Sequence, residues 1–497
     1  MLNNIRNFLR HSVVYSISNV AVKAMGVVLL PIYTKYINLE DFGKLAIIEV
    51  SLTIAVEILL MGQGQSIIMF NDLKEFKDKL NSIFFSLFIL LCIPVMTLFI
   101  AVFLLQPFLP SILYVAPTSL AYIKLGVVIT FLRVLNTFFL EKIRAEQRPL
   151  TYTLTNITKL IISLLGIILF IVVLQYGIIG ILYSYIIAES IIFLYLLTTM
   201  IPKMKPKIER EVIKLAFRFG FPLIFSSIGY LVLSVSDRFL IKYLEGNKSV
   251  ALYDLGYRVA GTLNMFLIMP FTLSFLPSAY KMFGAPGDKR YYSKLMTYLS
   301  YVLVWGGLAL SLFSEELIKI FALNPEYWPS YTIVPIIIFS YVFNGLILVA
   351  LLGQYLTKNT KNIAITTIVA AILNVILNII FIPKMGYIAA AYTTLLSYFI
   401  LFIVSYILSN RYYRVPFEIY KIIQVFIVGI FLYSAVQLFR NEHELIFILI
   451  KSFSIIAFPF VLYFWKFYEN QEINAITGFI KKWIDVTKWK DNLTKRK

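Results

Sequence analysis

The sequence predicts an all-α polytopic membrane protein: fourteen transmembrane helices, arranged as two six-helix lobes related by a parallel repeat, plus two extra C-terminal helices. Three observations predict it. Of 497 residues 60% are hydrophobic and only 14% charged, where a globular protein carries roughly 25% charged residues, and mean hydropathy is +0.83. The apolar residues run in unbroken blocks of the length, about 20 residues, that crosses about 30 Å of hydrocarbon. Basic residues crowd alternate connectors between those blocks.

The predicted spans are 12–34, 44–70, 82–105, 119–141, 151–173, 177–200, 216–241, 251–279, 295–313, 331–356, 363–382, 386–409, 421–439 and 445–465. At about 35 residues per span and connector, no soluble domain fits. The N-terminal stretch Met1–His11 leads into a span that runs to Ile37 without an Ala-x-Ala site, so it reads as a retained span and not a signal peptide. Connectors on the N-terminal side hold 31 basic residues, from Arg6 and Arg10 to Lys497. The opposite connectors hold 7: Lys35, Lys44, Lys242, Lys248, Lys319, Lys384 and Arg440. By the positive-inside rule both termini are cytoplasmic, in the cell (inner) membrane. The net charge of +19 is then an orientation signal spread over many connectors, and nucleic acid is not an expected partner.

The second half echoes the first at an offset near 209. LQYGIIGILYS at 174–184 aligns with PKMGYIAAAYT at 383–393, matching Gly177 with Gly386 and Tyr183 with Tyr392. TKYI at 34–37 likewise matches IKYL at 241–244. Equal order and orientation make this a parallel repeat about an axis along the membrane normal. The expected organisation is an N-terminal lobe over 1–200, a cytoplasmic linker over 201–214, a C-terminal lobe over 215–409, an extra helix pair over 421–465 and a basic amphipathic tail over 466–497. In that tail Ile473, Ile476, Ile480 and Trp483 fall at helical spacing.

Catalytic signatures are missing. The single cysteine, Cys92, lies in an apolar run, His11 and His443 sit at segment ends, and HExxH, GxxxxGK[ST] and GxSxG do not occur. No cofactor or metal is expected. The chemistry lies instead in charges inside the spans, where each costs roughly 2.5–3.5 kcal/mol if it faces lipid. The basic ones are Lys23, Lys124, Arg133, Lys159, Arg238, Arg258 and Lys451, and the acidic ones Glu49, Glu57, Glu189, Asp237 and Asp254. Several fall on polar stripes: Ser12, Ser16, Asn19 and Lys23; Glu49, Thr53 and Glu57; Thr130, Arg133 and Thr137; Tyr152, Asn156, Lys159 and Ser163; Ser226, Tyr230, Ser234 and Asp237; Asp254, Arg258 and Thr262. The stripes predict a wet cleft in which Lys23, Arg133, Lys159 and Arg258 bind an anionic substrate through charge-assisted hydrogen bonds. Glu49, Glu57, Asp237, Arg238 and Asp254 are the gate or ion-coupling candidates, with Glu49 and Arg238 the proposed pair at an outer gate. Lys124, Lys451 and Glu189 read as halves of structural ion pairs.

Asn38-Leu39-Glu40-Asp41-Phe42-Gly43, after a span ending in Pro31-Ile32-Tyr33-Thr34, resembles a boundary found in Wzx-type polysaccharide-biosynthesis flippases of the multidrug/oligosaccharidyl-lipid/polysaccharide exporter superfamily. Ala251-Leu252-Tyr253-Asp254 after Asp237-Arg238-Phe239-Leu240, and Gly177, Gly180 and Tyr183, are also similar to that family. The resemblance implies a two-lobe transporter, not an enzyme. It would move a polyprenyl-diphosphate-linked oligosaccharide to the outer leaflet by alternating access, with membrane lipid around it, polysaccharide polymerase and other pathway enzymes as partners, and a proton or sodium as the coupling ion. Two alternatives stay open: a multidrug or cation antiporter of the multidrug and toxin extrusion class, and a polytopic glycosyltransferase or polymerase.

Overall fold

The computed structural model describes residues 20–21, 24–72, 74–106, 108, 119–357, 359–474 and 477, and every regular element among them is helical. Among the described residues eleven helices are long and apolar enough to cross a membrane, or twelve if the bent pair Leu39–Leu60 and Gln63–Asn71 is one span. The sequence predicts fourteen. Its first span, 12–34, lies largely outside the described residues, as do Lys23 and the tail beyond 477; its seventh falls in helix Arg210–Glu245, where the side chains of 219–226 are not described. Apolar side chains such as Leu104, Val173, Leu449 and Phe453 stand exposed. Such surface is a liability in water and is the natural face toward lipid.

Packing divides the chain into two compact units. The larger is Met1–Asp288 with Ser314–Arg414. Its first half holds α1 (Leu30–Tyr36), α2 (Leu39–Leu60), α3 (Gln63–Asp72), α4 (Leu80–Leu104), α5 (Leu120–Ala145), α6 (Pro149–Ile167) and α7 (Gly177–Met200). Asn38 caps α2, its Oδ1 accepting the Asp41 amide at 2.8 Å, and Glu40 and Asp41 place negative charge on the first turn. Asp41 thus serves the helix start together with Asn38, and Lys44 pairs with it at 2.9 Å. The α2–α3 bend of 43° falls at Met61, held in the left-handed region at φ 50°. Phe84 of α4 stacks on Phe138 of α5 at 4.9 Å within the buried core of this half.

The second half holds α8 (Arg210–Glu245), α9 (Asn247–Leu263), a π turn over Asn264–Ile268 and α10 (Met269–Met282). After α11 (Asp288–Leu312) come α12 (Ser314–Phe321), α13 (Val334–Ala350), α14 (Leu352–Leu356), α15 (Thr360–Met385) and α16 (Tyr387–Tyr412). Here α8 packs on α15, and α16 on both α13 and α15. The two glycines matched in the sequence share a left-handed backbone, since Gly177 opens α7 at φ 58° and Gly386 precedes α16 at φ 70°, where a side chain would be strained. The linker runs extended from Met204 to Glu209 against the start of α4, where Ser86 accepts the Glu209 amide at 2.8 Å.

The smaller unit is Lys289–Phe313 with Val415–Lys497, built on α11, α17 (Ile419–Gln437) and α18 (Glu444–Phe464). The predicted ninth span thus groups by packing with the final pair. Trp305 of α11 donates to the Ile455 carbonyl of α18 at 2.9 Å. Lys294 gathers Glu418, Glu469 and Glu472 within 3.1 Å, tying the segment after α18 to α11.

Candidate functional site: a buried ionic network

Seven of the charges inside the larger unit form one connected chain. It starts at Glu189 on α7, whose side chain is 4% exposed. Arg133 of α5 donates to it at 3.0 Å, Lys159 of α6 lies 3.5 Å away, and Asn136 adds a hydrogen bond of 2.8 Å. Glu189, read from the sequence as a structural half-pair, is therefore the pivot of two predicted substrate ligands. Arg133 also lies over the Tyr185 ring, 5.6 Å from its centre, and the Tyr185 hydroxyl donates to Glu49 of α2 at 2.7 Å.

From Glu49 the chain crosses to the second half. Arg258 of α9 bonds Glu49 through Nη2 at 2.5 Å and Asp254 through Nε at 2.6 Å. Asp254 accepts Arg238 of α8 at 2.8 Å, and Arg238 lies 4.3 Å over the Tyr257 ring. Glu49 and Arg238, predicted to pair directly, are instead joined through Arg258 and Asp254. The reason is geometric: α2 packs along α9, whose Arg258 faces it, while Arg238 is held by Asp254 across the α8–α9 contact. Arg258 lies 209 residues beyond Glu49, so this one ion pair joins the two halves through opposite charges.

Four cations, Lys159, Arg133, Arg258 and Arg238, meet three carboxylates, Glu189, Glu49 and Asp254. One positive charge remains in excess, and it falls where Arg133 and Lys159 share Glu189. Their side chains are 27% and 23% exposed, enough to meet a ligand. Asp237 is different. It is fully buried, and among the described residues no Lys or Arg lies within ion-pair distance. Neutral donors hold it instead: Tyr253 at 2.5 Å, Asn378 at 2.7 Å and Thr394 at 2.9 Å. Asn374 extends the cluster by accepting from Asn378 at 3.1 Å. Glu57 stands apart from the ionic chain and lines a cavity with Tyr230, Asn264 and Asn344. Lys451 belongs to the smaller unit, 4.2 Å over the Phe447 ring.

A second set of contacts joins the two halves near the starts of α2 and α9. Asn247 donates to Glu40 at 2.6 Å, and Tyr327 to the Ile37 carbonyl at 2.9 Å. At Gly43 an added Cβ would lie 1.9 Å from the Asn247 carbonyl oxygen, so only glycine permits this approach. The role of Gly43 and of Tyr185 was not legible in the charge pattern, because neither is charged and their partners lie over 130 residues away.

Apolar faces turned outward around a polar interior define a multi-pass membrane protein. A sequence model described as polysaccharide biosynthesis protein matches residues 8–283, more than half of the chain, and the chain belongs to that family. Uncharacterized membrane protein MJ1068 of Methanocaldococcus jannaschii is 26% identical over 261 residues, 50% of this chain and 49% of that protein. The match thus spans about half the length of that relative. Among solved structures, lipid II flippase MurJ in an inward closed conformation superposes with a TM-score of 0.73, covering 91% of this chain and 99% of that one at 16% identity. An inward-facing MATE multidrug resistance transporter of the MOP superfamily gives 0.63 over 79% of this chain and 94% of that one, at 13% identity. An outward-facing one gives 0.58 over 82% and 94%, at 14% identity. These likenesses are of fold.

Proposed function

We propose that the chain is a flippase, a transporter and not an enzyme, that moves a polyprenyl-diphosphate-linked oligosaccharide from the cytoplasmic to the outer leaflet for surface polysaccharide assembly. The observation that carries this reading is the ionic network itself, with its surplus cation at Arg133 and Lys159 and its bridge between halves at Glu49 and Arg258. Guanidinium groups make bidentate, charge-assisted bonds to phosphate. A diphosphate entering from the cytoplasmic side binds the surplus charge first and then competes with Glu49 for Arg258. Once Arg258 turns to the diphosphate, the bridge to α2 is lost and the halves are free to part on the outer side. Substrate binding and gate opening are thus one exchange of anions around one guanidinium.

Lys23 joins the cationic set in this reading, and both termini face the cytoplasm. Asp237 is the site of the coupling ion, a proton or sodium, because a buried carboxylate held by neutral donors can change its occupancy without breaking an ion pair. The polymerase and other enzymes of glycan assembly are its functional partners.

The test is complementation of a cell lacking a lipid-linked oligosaccharide flippase, with wild type, Arg133→Ala and Arg258→Ala at matched membrane abundance. Wild type should restore surface glycan, and the variants should leave lipid-linked intermediates on the cytoplasmic leaflet. Failure of wild type with several glycan classes, together with resistance to cationic dyes, would establish the antiporter instead.

A further inference from the structure

We propose that the cavity lined by Glu57, Tyr230, Asn264, Asn344, Tyr355 and Tyr398 is the subsite for the glycan headgroup, and that Glu57 sets it to accept neutral or amino sugars and to reject uronic acids. This rests on the flippase reading and adds the sugar class to it.

The cavity measures about 600 Å³, within the range of roughly 300–1,000 Å³ typical of small-molecule sites. Among the described residues neither Lys nor Arg lines it, which sets it apart from the cationic end of the network. Its walls carry what a pyranose needs. Tyrosine rings offer flat apolar faces to the C–H side of a sugar. The amides of Asn264 and Asn344 each present donors and an acceptor, which match hydroxyl groups. Asn344 uses one donor on the Tyr230 hydroxyl at 3.3 Å, which leaves its carbonyl oxygen for a ligand.

Two further features single the cavity out. Asn264 opens the π turn Asn264–Ile268, and such turns, which add a residue to one helical turn and re-aim its side chains, occur frequently at functional sites. Glu57 has no hydrogen-bond or ion-pair partner among the described residues, although it lies in a membrane helix where an unpaired carboxylate is costly. A sugar hydroxyl or ammonium would satisfy it, whereas a uronate would bring a second carboxylate against it. Glu57 lies eight residues beyond Glu49 on α2, about 12 Å along the helix axis. The sugar cavity and the Glu49–Arg258 bridge are therefore set on one rigid element, as the sugar and diphosphate parts of one ligand require.

The test uses the purified full-length chain in nanodiscs and four probes: bare geranylgeranyl diphosphate, and the same diphosphate carrying a neutral disaccharide, an amino-sugar disaccharide or a uronic-acid disaccharide. Wild type should bind the neutral and amino probes about tenfold more tightly than the bare diphosphate. Asn264→Leu with Asn344→Leu should abolish that increment while binding the bare diphosphate as wild type does, which also shows that the variant is folded. Glu57→Gln should raise affinity for the uronic-acid probe about tenfold. Equal binding of bare and glycosylated probes by wild type overturns the subsite and leaves the flippase reading standing. Binding of none of the four overturns both. An increment that survives the asparagine changes, or a uronic-acid affinity that Glu57→Gln leaves unmoved, also overturns the assignment.

Discussion

Arg258 holds carboxylates on two helices, Asp254 within its own helix α9 and Glu49 on α2, and only the second contact joins the halves. Removing one partner of a fully buried pair leaves the other charge uncompensated and costs about 3–5 kcal/mol. For this part-buried pair, 18% and 24% exposed, the cost is smaller because solvent screens the charge left behind. Arg258→Glu alone should therefore reduce both membrane abundance and transport. The exchange Glu49→Arg with Arg258→Glu restores opposite charges across the halves but sets the carboxylate introduced on α9 against Asp254. We expect recovered abundance with transport still well below wild type, measured by detergent-extracted thermal melting beside the complementation assay. Recovery of neither would count against the bridge. Gly43→Ala is a separate probe of the same contact. Its methyl would collide with the Asn247 carbonyl, and overpacking typically costs about 1–3 kcal/mol. Melting temperature should fall, and the fall should be smaller if the halves can part.

At the scale of elements, the segment after α18 is held by Lys294 of α11. Lys294 beside Glu469 keeps that carboxyl below its usual range. A carboxylate whose folded pKa is depressed adds stability above its unfolded pKa and loses it as pH falls through the folded one. Protection factors of amides 465–474, with exchange rates referred to the intrinsic rate at each pH, should therefore be lower at about pH 3 than at about pH 6, since an unfolded glutamate titrates near 4.3. The partial exposure of Glu469, 35%, means that salt should weaken the effect. Equal protection factors at the two pH values would show that packing alone holds the segment. Elements of this kind were largely legible beforehand. Apolar block length located the helices, and the stripes brought out Arg133, Lys159, Arg258 and Glu49. Asp237 and Asp254 were likewise singled out by their stripes and by cost, since a carboxylate in a span needs a reason. What the sequence left hidden is which charge meets which. Glu189 lacks a stripe of its own, and its partners lie on two other helices, Lys159 on α6 and Arg133 and Asn136 on α5. The α2 boundary also fell five residues earlier than apolar content suggested, because the capped first turn Leu39-Glu40-Asp41 is polar.

For the whole molecule, the reading of alternating access requires the starts of α2 and α9 to separate in each cycle. Glu40 and Asn247 meet there at 2.6 Å. In a Cys92→Ser background, which removes the only native thiol, Glu40→Cys with Asn247→Cys bridged by a short thiol-reactive crosslinker should arrest transport. A reducible crosslinker should restore it on reduction. Transport that continues through the bridged form would mean that the halves do not part at this point.

The bridge from Glu49 to Arg258 has a consequence for assembly. Its carboxylate comes from one half of the chain and its guanidinium from the other. Two copies of either half alone cannot form it, so the halves expressed as separate polypeptides should associate as an unlike pair in preference to either like one.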